Sequence, residues 1–277
     1  MKKKILIIGK NSFISLNLVS DLKKTFFIKA INFEDFFQLR KNYLLKFNYI
    51  INCSINKNYI YKKYQLKNDI DLKIAKKIMN LDINYIFLST RKIYKIGNNL
   101  RETSKLQPKC YYSKNKLITE KKILKLLFNK VLILRISNLI GLDNKNGKRK
   151  IHSTFVKYFF ENIKKGIIYE NNDNYKDFLS TNQFSKIIEI LIKKCSLGIF
   201  NVSIGKKVFL KEVIKWLNYY NKKEYTITKL PKNFDIENFY LNNSKLLNET
   251  KLKINLTNLE KDCKRISKIF FKKWKKK

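Results

Sequence analysis

The alternation of short apolar runs with helical patterns in the first half of the chain constrains its fold most strongly. Short apolar runs are typical of buried parallel strands, and apolar residues three and four positions apart are typical of helices. Strands that alternate with helices pair in parallel, and the strand count before residue 140 favours a doubly wound sheet over a barrel. The predicted strands are Lys4–Ile8, Phe27–Ile31, Tyr49–Cys53, Tyr85–Leu88 and Val131–Ile136, and the predicted helices are Phe13–Leu22, Asp69–Met79 and Tyr112–Phe128.

The second half of the chain is less regular and suggests a further, smaller unit. The sequence predicts an α/β fold: a Rossmann-type doubly wound parallel sheet with a smaller C-terminal α/β substrate domain. We expect the first domain at 1–165 and the second at 166–277, with segments at about 178–203 free to return to the first. The predicted helices are His152–Lys165, Gln183–Lys194, Leu210–Tyr220 and Leu256–Trp274, and the predicted strands are Phe200–Val202 and Tyr225–Leu230.

The net charge is the most unusual bulk property of the chain. There are 61 basic and 21 acidic residues, which gives a charge of +40. An excess of this kind is found in nucleic-acid-binding proteins. Lys, Asn, Ile, Phe and Tyr are all abundant while Gly and Pro are scarce, as an AT-rich genome would produce, and the lysines are spread along the chain. We therefore favour compositional bias as the explanation of the charge and expect no nucleic-acid partner. The positive field of the protein still attracts anionic ligands.

The sequence predicts a cytoplasmic protein without a membrane span or a metal. No window of about 18 residues is free of charge, and the apolar run after the N-terminal lysines is too short for a signal peptide. The cysteines are scattered and form no Cys-x-x-Cys pair, which fits reduced thiols rather than a zinc site. The four cysteines are Cys53, Cys110, Cys195 and Cys263, and the single histidine is His152.

The turn after the first predicted strand is a candidate phosphate-binding turn. It runs from Gly9 to Ser15 and lies between a strand and a helix, where the helix N-terminus offers N–H groups and a positive dipole end. Such turns carry further glycines at the positions that Ser12 and Ser15 occupy here. The motif is weak by itself, since many folds that bind nothing contain a strand, a turn and a helix.

Two further patterns are consistent with proton-transfer chemistry. Tyr112 and Lys116 are four residues apart on a predicted helix and so share a face. A cation beside a phenol stabilises the phenolate, which lets a tyrosine act as a general acid or base. Ser89 and Thr90 end a predicted strand, at the edge where parallel sheets bind ligands. The simpler interpretations are a solvated helix face and a capping residue.

Together these residues resemble the extended short-chain dehydrogenase/reductase family, the nucleotide-sugar epimerases, dehydratases and reductases. Each segment alone is a weak match, but the order of the matches is specific. The segments that resemble family motifs are Gly9–Ser15, Phe87–Tyr94, Pro108–Glu120, Leu134–Gly141, Asp177–Phe178, Gly198–Val202 and Leu241–Leu246.

The resemblance implies roles for individual residues. Tyr112 would be the acid/base, Lys116 would bind the nicotinamide ribose and tune Tyr112, and Thr90 would bind the same substrate oxygen. Asn138 would bind the sugar. The cofactor would be NAD or NADP, which supplies the hydride chemistry. The residues implied in cofactor binding are Gly9, Asn11, Ser12, Phe13, Ile14, Cys53, Ser54, Tyr112, Lys116 and Ser137.

The chain departs from the family pattern at several positions. Arg91 and Lys92 stand where the family's 4,6-dehydratases have an Asp-Glu pair, which disfavours dehydration. Lys176 replaces the arginine of an Arg-Asp-Phe motif. Asn32 lies where an acidic residue would favour NAD, although Glu34 and Asp35 follow closely, so the choice between NAD and NADP stays open. The length is closer to the reductases that resemble dTDP-4-dehydrorhamnose reductase than to the longer epimerases.

Two hypotheses of different kinds follow. The first is an NAD(P)-dependent oxidoreductase or epimerase that acts on a nucleotide-activated sugar, by 4-keto or 4-hydroxyl chemistry, in surface-polysaccharide synthesis. The second is a non-catalytic protein of the same fold that binds RNA or another partner through its basic surface. We favour the enzyme because all three catalytic positions are present. The family often pairs through the helix of the Tyr-Lys motif, so a homodimer is one arrangement that the resemblance implies.

Overall fold

The computed structural model describes residues 2–145, 148–151, 155–170, 174–229 and 237–274. Its largest sheet consists of six parallel strands: β1 Lys4–Ile8, β2 Phe27–Ile31, β3 Tyr49–Asn52, β4 Asn84–Thr90, β5 Val131–Ile136 and β6 Gly198–Val202. They lie side by side in the order β2-β1-β3-β4-β5-β6. The strand order reverses between β1 and β3. Open α/β sheets bind ligands at such a switch point, outside the carboxyl ends of the strands.

Helices cover both faces of this sheet because alternate strand residues face opposite sides. Ile5 and Ile7 belong to one apolar core, while Leu6 and Ile8 belong to a second core on the opposite face. The described helices are α1 Phe13–Leu22, α2 Phe33–Gln38, α3 Lys41–Leu44, α4 Lys57–Tyr61, α5 Ile70–Ile78, α6 Tyr111–Leu127, α7 Phe155–Lys164, α8 Thr181–Lys193, α9 Leu210–Asn218, α10 Ser244–Thr250 and α11 Leu256–Trp274.

The predicted doubly wound α/β class is confirmed, and most predicted elements lie within two residues of the observed ones. The clearest differences are that β4 continues through Thr90 and that β6 begins at Gly198. Both extensions follow from pairing with β5, which supplies hydrogen-bond partners beyond the apolar residues that signalled each strand. Residues 152–154 of a predicted helix and residue 230 of a predicted strand lie outside the described residues.

Short strand pairs lie outside the large sheet. Near two of them, one buried carboxylate joins distant parts of the chain: Asp177 accepts backbone N–H bonds from Ile204 at 3.1 Å, Gly205 at 3.2 Å and Leu241 at 3.1 Å. Two distant segments therefore converge on one side chain. The pairs are Asn138–Ile140 with Phe178–Ser180, Leu142–Lys145 with Lys148–Ile151, Ile167–Glu170 with Thr226–Lys229, and Tyr175–Lys176 with Val208–Phe209.

Candidate active site

Two adjoining clefts open along the carboxyl edge of the large sheet. The outer cleft, of about 510 Å³, lies at the switch point between β1 and β3. The inner cleft, of about 320 Å³, lies over the ends of β4 and β5. Cys53 and Ser54, which follow β3, line both. A ligand that is longer than either cleft could therefore lie across the whole edge.

Gly9 shapes the outer cleft because the backbone there needs a conformation that other residues rarely adopt. Its φ is +91°, and a Cβ at this position would collide with Ser54 Oγ and lie 2.9 Å from the Ser54 nitrogen. The backbone N–H groups of Gly9 and Lys10 both donate to the carbonyl of Ile31, at 2.8 and 3.0 Å. The turn is thus held tightly between β1, β2 and the segment after β3.

The two serines that replace glycines in this turn each have a structural role. Ser12 is the N-cap of α1, and its hydroxyl accepts the Ser15 N–H at 3.1 Å. Ser15 is fully buried, and its small side chain lets α1 approach the sheet. The turn therefore keeps the strand, the tight bend and the helix N-terminus with a single glycine.

The inner cleft brings together Thr90, Tyr112 and Lys116, the three residues expected to carry the chemistry. Thr90 ends β4, while Tyr112 and Lys116 lie one turn apart on α6. The Thr90 hydroxyl accepts the Lys92 N–H at 3.3 Å, so its own proton can be donated into the cleft. Ser89 also lines this cleft, but its hydroxyl donates to Glu120 at 2.7 Å and is therefore already paired.

Lys116 is buried, and its ammonium forms an ion pair with Asp71 at 3.1 Å. Burial alone opposes the charged form, but the carboxylate of Asp71 and the phenol of Tyr112 outweigh it and raise the pKa of Lys116 above its ordinary value. Rings of Phe87 and Tyr59 flank the ammonium, with centroids at 4.5 and 5.8 Å. The lysine is therefore charged and fixed in position.

The far wall of the inner cleft carries a polar atom that lacks a protein partner. Ser137 follows β5, and its hydroxyl is buried without a hydrogen bond to any described residue. Buried polar groups without a partner are rare in folded proteins and cost about 1–3 kcal/mol. A ligand in the cleft would supply the missing partner. The side chain of Asn138 lines the same wall.

A group of cations lies beside Thr90. The Arg91 guanidinium stacks on Phe239 at 3.7 Å and pairs with Glu237 at 3.4 Å, yet its Nε is buried without a partner among the described residues. Lys109 contacts the same carboxylate at 3.7 Å. Burial and the charge of Arg91 lower the pKa of Lys176 below its ordinary value. This part of the protein therefore has an excess of positive charge.

A buried network supports the site from below. Arg135 on β5 donates from both Nε and Nη2 to the carboxylate of Glu120 on α6, and it also donates to the Tyr94 hydroxyl at 2.8 Å. The Tyr94 hydroxyl in turn donates to Asn201 Oδ1 at 2.7 Å. The helix that carries Tyr112 and Lys116 is thereby bonded to β5 and β6.

Every residue that the sequence placed at the site lines one of the two clefts. Asp71, its partner Asn52, and the cation group around Arg91 were missed. For Asp71 a signal was present: it lies three, four and seven positions before Ile74, Ala75 and Ile78, which are buried on α5. Those that line the outer cleft are Gly9, Asn11, Ser12, Cys53 and Ser54, and those that line the inner cleft are Phe13, Ile14, Cys53, Ser54, Thr90, Tyr112, Lys116, Ser137 and Asn138.

Two further structural facts concern the described ranges alone. None of the helices there is both long enough and apolar enough to cross a membrane. Nor do His, Cys, Asp and Glu side chains gather there in groups of three or more that could hold a metal ion.

The chain resembles known proteins in its three-dimensional structure but not detectably in its sequence. No protein-family model matches the chain, and no curated protein matches it in sequence. Among solved structures, UDP-N-acetylglucosamine 4-epimerase from Methanobrevibacter ruminantium M1, in complex with UDP-N-acetylmuramic acid, has a TM-score of 0.79 at 18% identity, covering 99% of this chain and 100% of its own. RMD from Pseudomonas aeruginosa, complexed with NADPH, has a TM-score of 0.78 at 15% identity, covering 97% and 98%. UDP-glucuronic acid 4-epimerase from Bacillus cereus, in complex with NAD, has a TM-score of 0.76 at 13% identity, covering 97% and 99%.

Proposed function

We propose that this protein is an NAD(P)-dependent enzyme of the extended short-chain dehydrogenase/reductase type, a reductase or epimerase of nucleotide-activated sugars that serves surface-polysaccharide synthesis. One observation carries the proposal: Thr90, Tyr112 and Lys116 line one cleft, which adjoins the Gly9 turn at the switch point of the sheet. Two of the similar solved structures are UDP-sugar 4-epimerases, one of them in complex with NAD, and the third, RMD, is in complex with NADPH, which supports the same proposal.

The residues of the two clefts fit a dinucleotide. Gly9 lines the outer cleft next to the N-terminus of α1, where the positive end of the helix dipole favours a pyrophosphate. In the inner cleft, the buried Ser137 hydroxyl lacks a partner among the described residues, and the nicotinamide end could provide one. The dinucleotide supplies the hydride chemistry, and the protein supplies its orientation.

The remaining chemistry belongs to the side chains of the inner cleft. The Thr90 hydroxyl and the Tyr112 phenol bind the substrate oxygen, and Tyr112 gives it a proton on reduction or removes one on oxidation. The Lys116 ammonium favours the phenolate that forms when Tyr112 gives up its proton. Arg91 and Lys92, which follow Thr90, offer no carboxyl group for water elimination. Ketone reduction or epimerisation through a ketone is the reaction that these groups support.

The cations beside Thr90 favour a substrate with anionic groups. Arg91 and Lys109 both pair with Glu237, and the buried Arg91 Nε lacks an acceptor among the described residues. A diphosphate provides several acceptor oxygens and compensates the excess charge. A nucleotide diphosphate-linked sugar has this group next to the sugar that reacts. The same charge distribution would draw such a substrate toward the cleft.

Mutual thermal stabilisation tests the proposal directly. We expect NADH or NADPH to raise the Tm, and we expect a UDP- or dTDP-linked sugar to raise it further in the presence of the dinucleotide, because a ligand that binds the native state stabilises it. Uridine and thymidine without phosphates serve as controls. Absence of any dinucleotide effect, together with RNA binding that weakens steeply with salt, would instead support the non-catalytic hypothesis.

We expect NADH to bind at least about tenfold more tightly than NADPH. Glu34 follows β2 and lines the outer cleft, and no cation is among the described residues that line it. A 2′-phosphate there would meet a carboxylate, and repulsion of about 1–2 kcal/mol corresponds to roughly tenfold in affinity. Fluorescence titration of both dinucleotides measures the ratio. Glu34→Gln should reduce it severalfold, and an unchanged ratio in this variant would contradict the assignment.

A further inference from the structure

Asp71 is a carboxyl side chain on an otherwise apolar helix face. It lies in the first turn of α5, where it is 4% exposed, on the face that also buries Ile74 and Ile78. A buried carboxylate is costly unless several donors satisfy it. Asp71 has three: Asn52 Nδ2 at 2.8 Å, the Tyr85 hydroxyl at 2.6 Å and the Lys116 ammonium at 3.1 Å.

We infer that Asp71 is a positioning residue for Lys116, which holds the ammonium at the floor of the inner cleft and joins it to the segment after β3. The lysine is then oriented and charged before any dinucleotide binds. The consequence for catalysis rests on the function proposed above, whereas the ion pair itself does not. A serine or alanine at position 71 would leave the lysine buried without a counter-charge.

The geometry leaves Lys116 able to act on a ligand. An ammonium has three donors, and Asp71 Oδ2 takes one of them, while Asp71 Oδ1 accepts from Asn52 and Tyr85. Asn52 also accepts the Ser54 N–H at 2.9 Å and donates to the Ser54 carbonyl at 3.1 Å. Ser54 forms the wall shared by the two clefts. One carboxylate therefore sets the position of the lysine relative to the wall that a dinucleotide would follow.

The groups around Lys116 make Asp71 its main source of compensating charge. Asp69, which immediately precedes α5, is a second carboxylate near Lys116. It accepts hydrogen bonds from Thr119 at 2.6 Å and Tyr64 at 2.8 Å rather than from the lysine. Burial lowers the pKa of a lysine that has no partner, by up to several units. Loss of the Asp71 charge should therefore lower the pKa of Lys116. The titratable groups that face this region are Asp69, Asp71, Cys53, Tyr59, Tyr85 and Tyr112.

The test measures the ionisation of Lys116 without requiring any activity. Cyanate adds only to neutral amines. The rate of carbamylation of each lysine, followed by peptide mass spectrometry over a range of pH, therefore gives the titration midpoint of that lysine. In the wild type we expect the Lys116 midpoint to lie above those of the exposed lysines. In Asp71→Asn we expect it to fall by at least about one unit, which is tenfold in the neutral fraction. Asp69→Asn, a matched loss of a buried carboxylate, should lower it much less, because Asp69 acts on Lys116 through its charge alone and forms no bond with it.

Each outcome decides the inference. A Lys116 midpoint that is the same in Asp71→Asn as in the wild type would overturn it, as would an equal fall in Asp69→Asn. If Asp71→Asn does not fold, the wild-type measurement still decides, because a midpoint below that of exposed lysines excludes a stable ion pair. Asp71→Glu should restore a high midpoint. The affinity for a dinucleotide, measured against pH, reports separately on the proposed function. As the pH rises and Lys116 loses its proton, this affinity should fall, and the fall should begin at a lower pH in Asp71→Asn than in the wild type.

Discussion

Tyr112→Phe is expected to lower the turnover number with a nucleotide-sugar substrate by about 10²–10⁴-fold, the usual contribution of a positioned general acid or base. The phenol lines the inner cleft beside Thr90 and Lys116 and is the group placed to exchange a proton with a substrate oxygen. Its hydroxyl forms no hydrogen bond to another described residue, so its removal breaks no structural contact there. The melting temperature and the affinity for NADH should therefore stay close to those of the wild type.

The neighbouring tyrosine provides a matched control for this experiment. Tyr111 precedes Tyr112 on α6 but is 52% exposed, and it is not among the residues that line the inner cleft. Tyr111→Phe should leave turnover within about twofold of the wild type. Equal rates for Tyr112→Phe and the wild type would show that the phenol exchanges no proton in the rate-limiting step, and the proposed mechanism would then be wrong.

The strands of the large sheet and the longer helices could be predicted because their signals are local, whereas the short helices α2, α3, α4 and α10 were not predicted. β1 is a continuous apolar run that ends at a glycine, and α11 follows the periodicity of its own residues, so neither prediction depended on distant contacts. The order of strands in the sheet is a property of long-range pairing. It places the turn after β1 beside the segment after β3, and this proximity creates the outer cleft.

The partners of the charged residues could not be predicted for the same reason. Lys116 meets Asp71, and Arg91 stacks on Phe239, across separations that no sequence pattern encodes. A lysine four residues after a tyrosine is found on many solvated helix faces. Here it is 5% exposed because α6 packs against α5 and β4, which bring a carboxylate and an aromatic ring to it. Spacing indicated which residues share a face, but only packing determines what that face meets.

Arg135→Met is expected to lower the free energy of unfolding by about 3–5 kcal/mol, because it leaves the carboxylate of Glu120 buried without its counter-ion. Glu120 is 1% exposed and Arg135 is 3% exposed, and the side chains are joined by more than one hydrogen bond. Unfolding in urea measures the change. The surface pair of Glu189 and Lys193, one turn apart on α8, is the control: Lys193→Met should cost less than about 0.5 kcal/mol.

The double variant Arg135→Met with Glu120→Gln separates the loss of an attraction from the cost of an unpaired charge. A neutral amide at position 120 can still accept the bond that Ser89 donates at 2.7 Å, so the main penalty of the single variant is removed. We expect the double variant to regain at least about 1.5 kcal/mol, a coupling of the size seen between residues in contact. Additive losses in the double-mutant cycle would contradict this account. The destabilisation would then arise from lost packing around Arg135, and not from an unpaired charge buried beneath the helix that carries Tyr112 and Lys116.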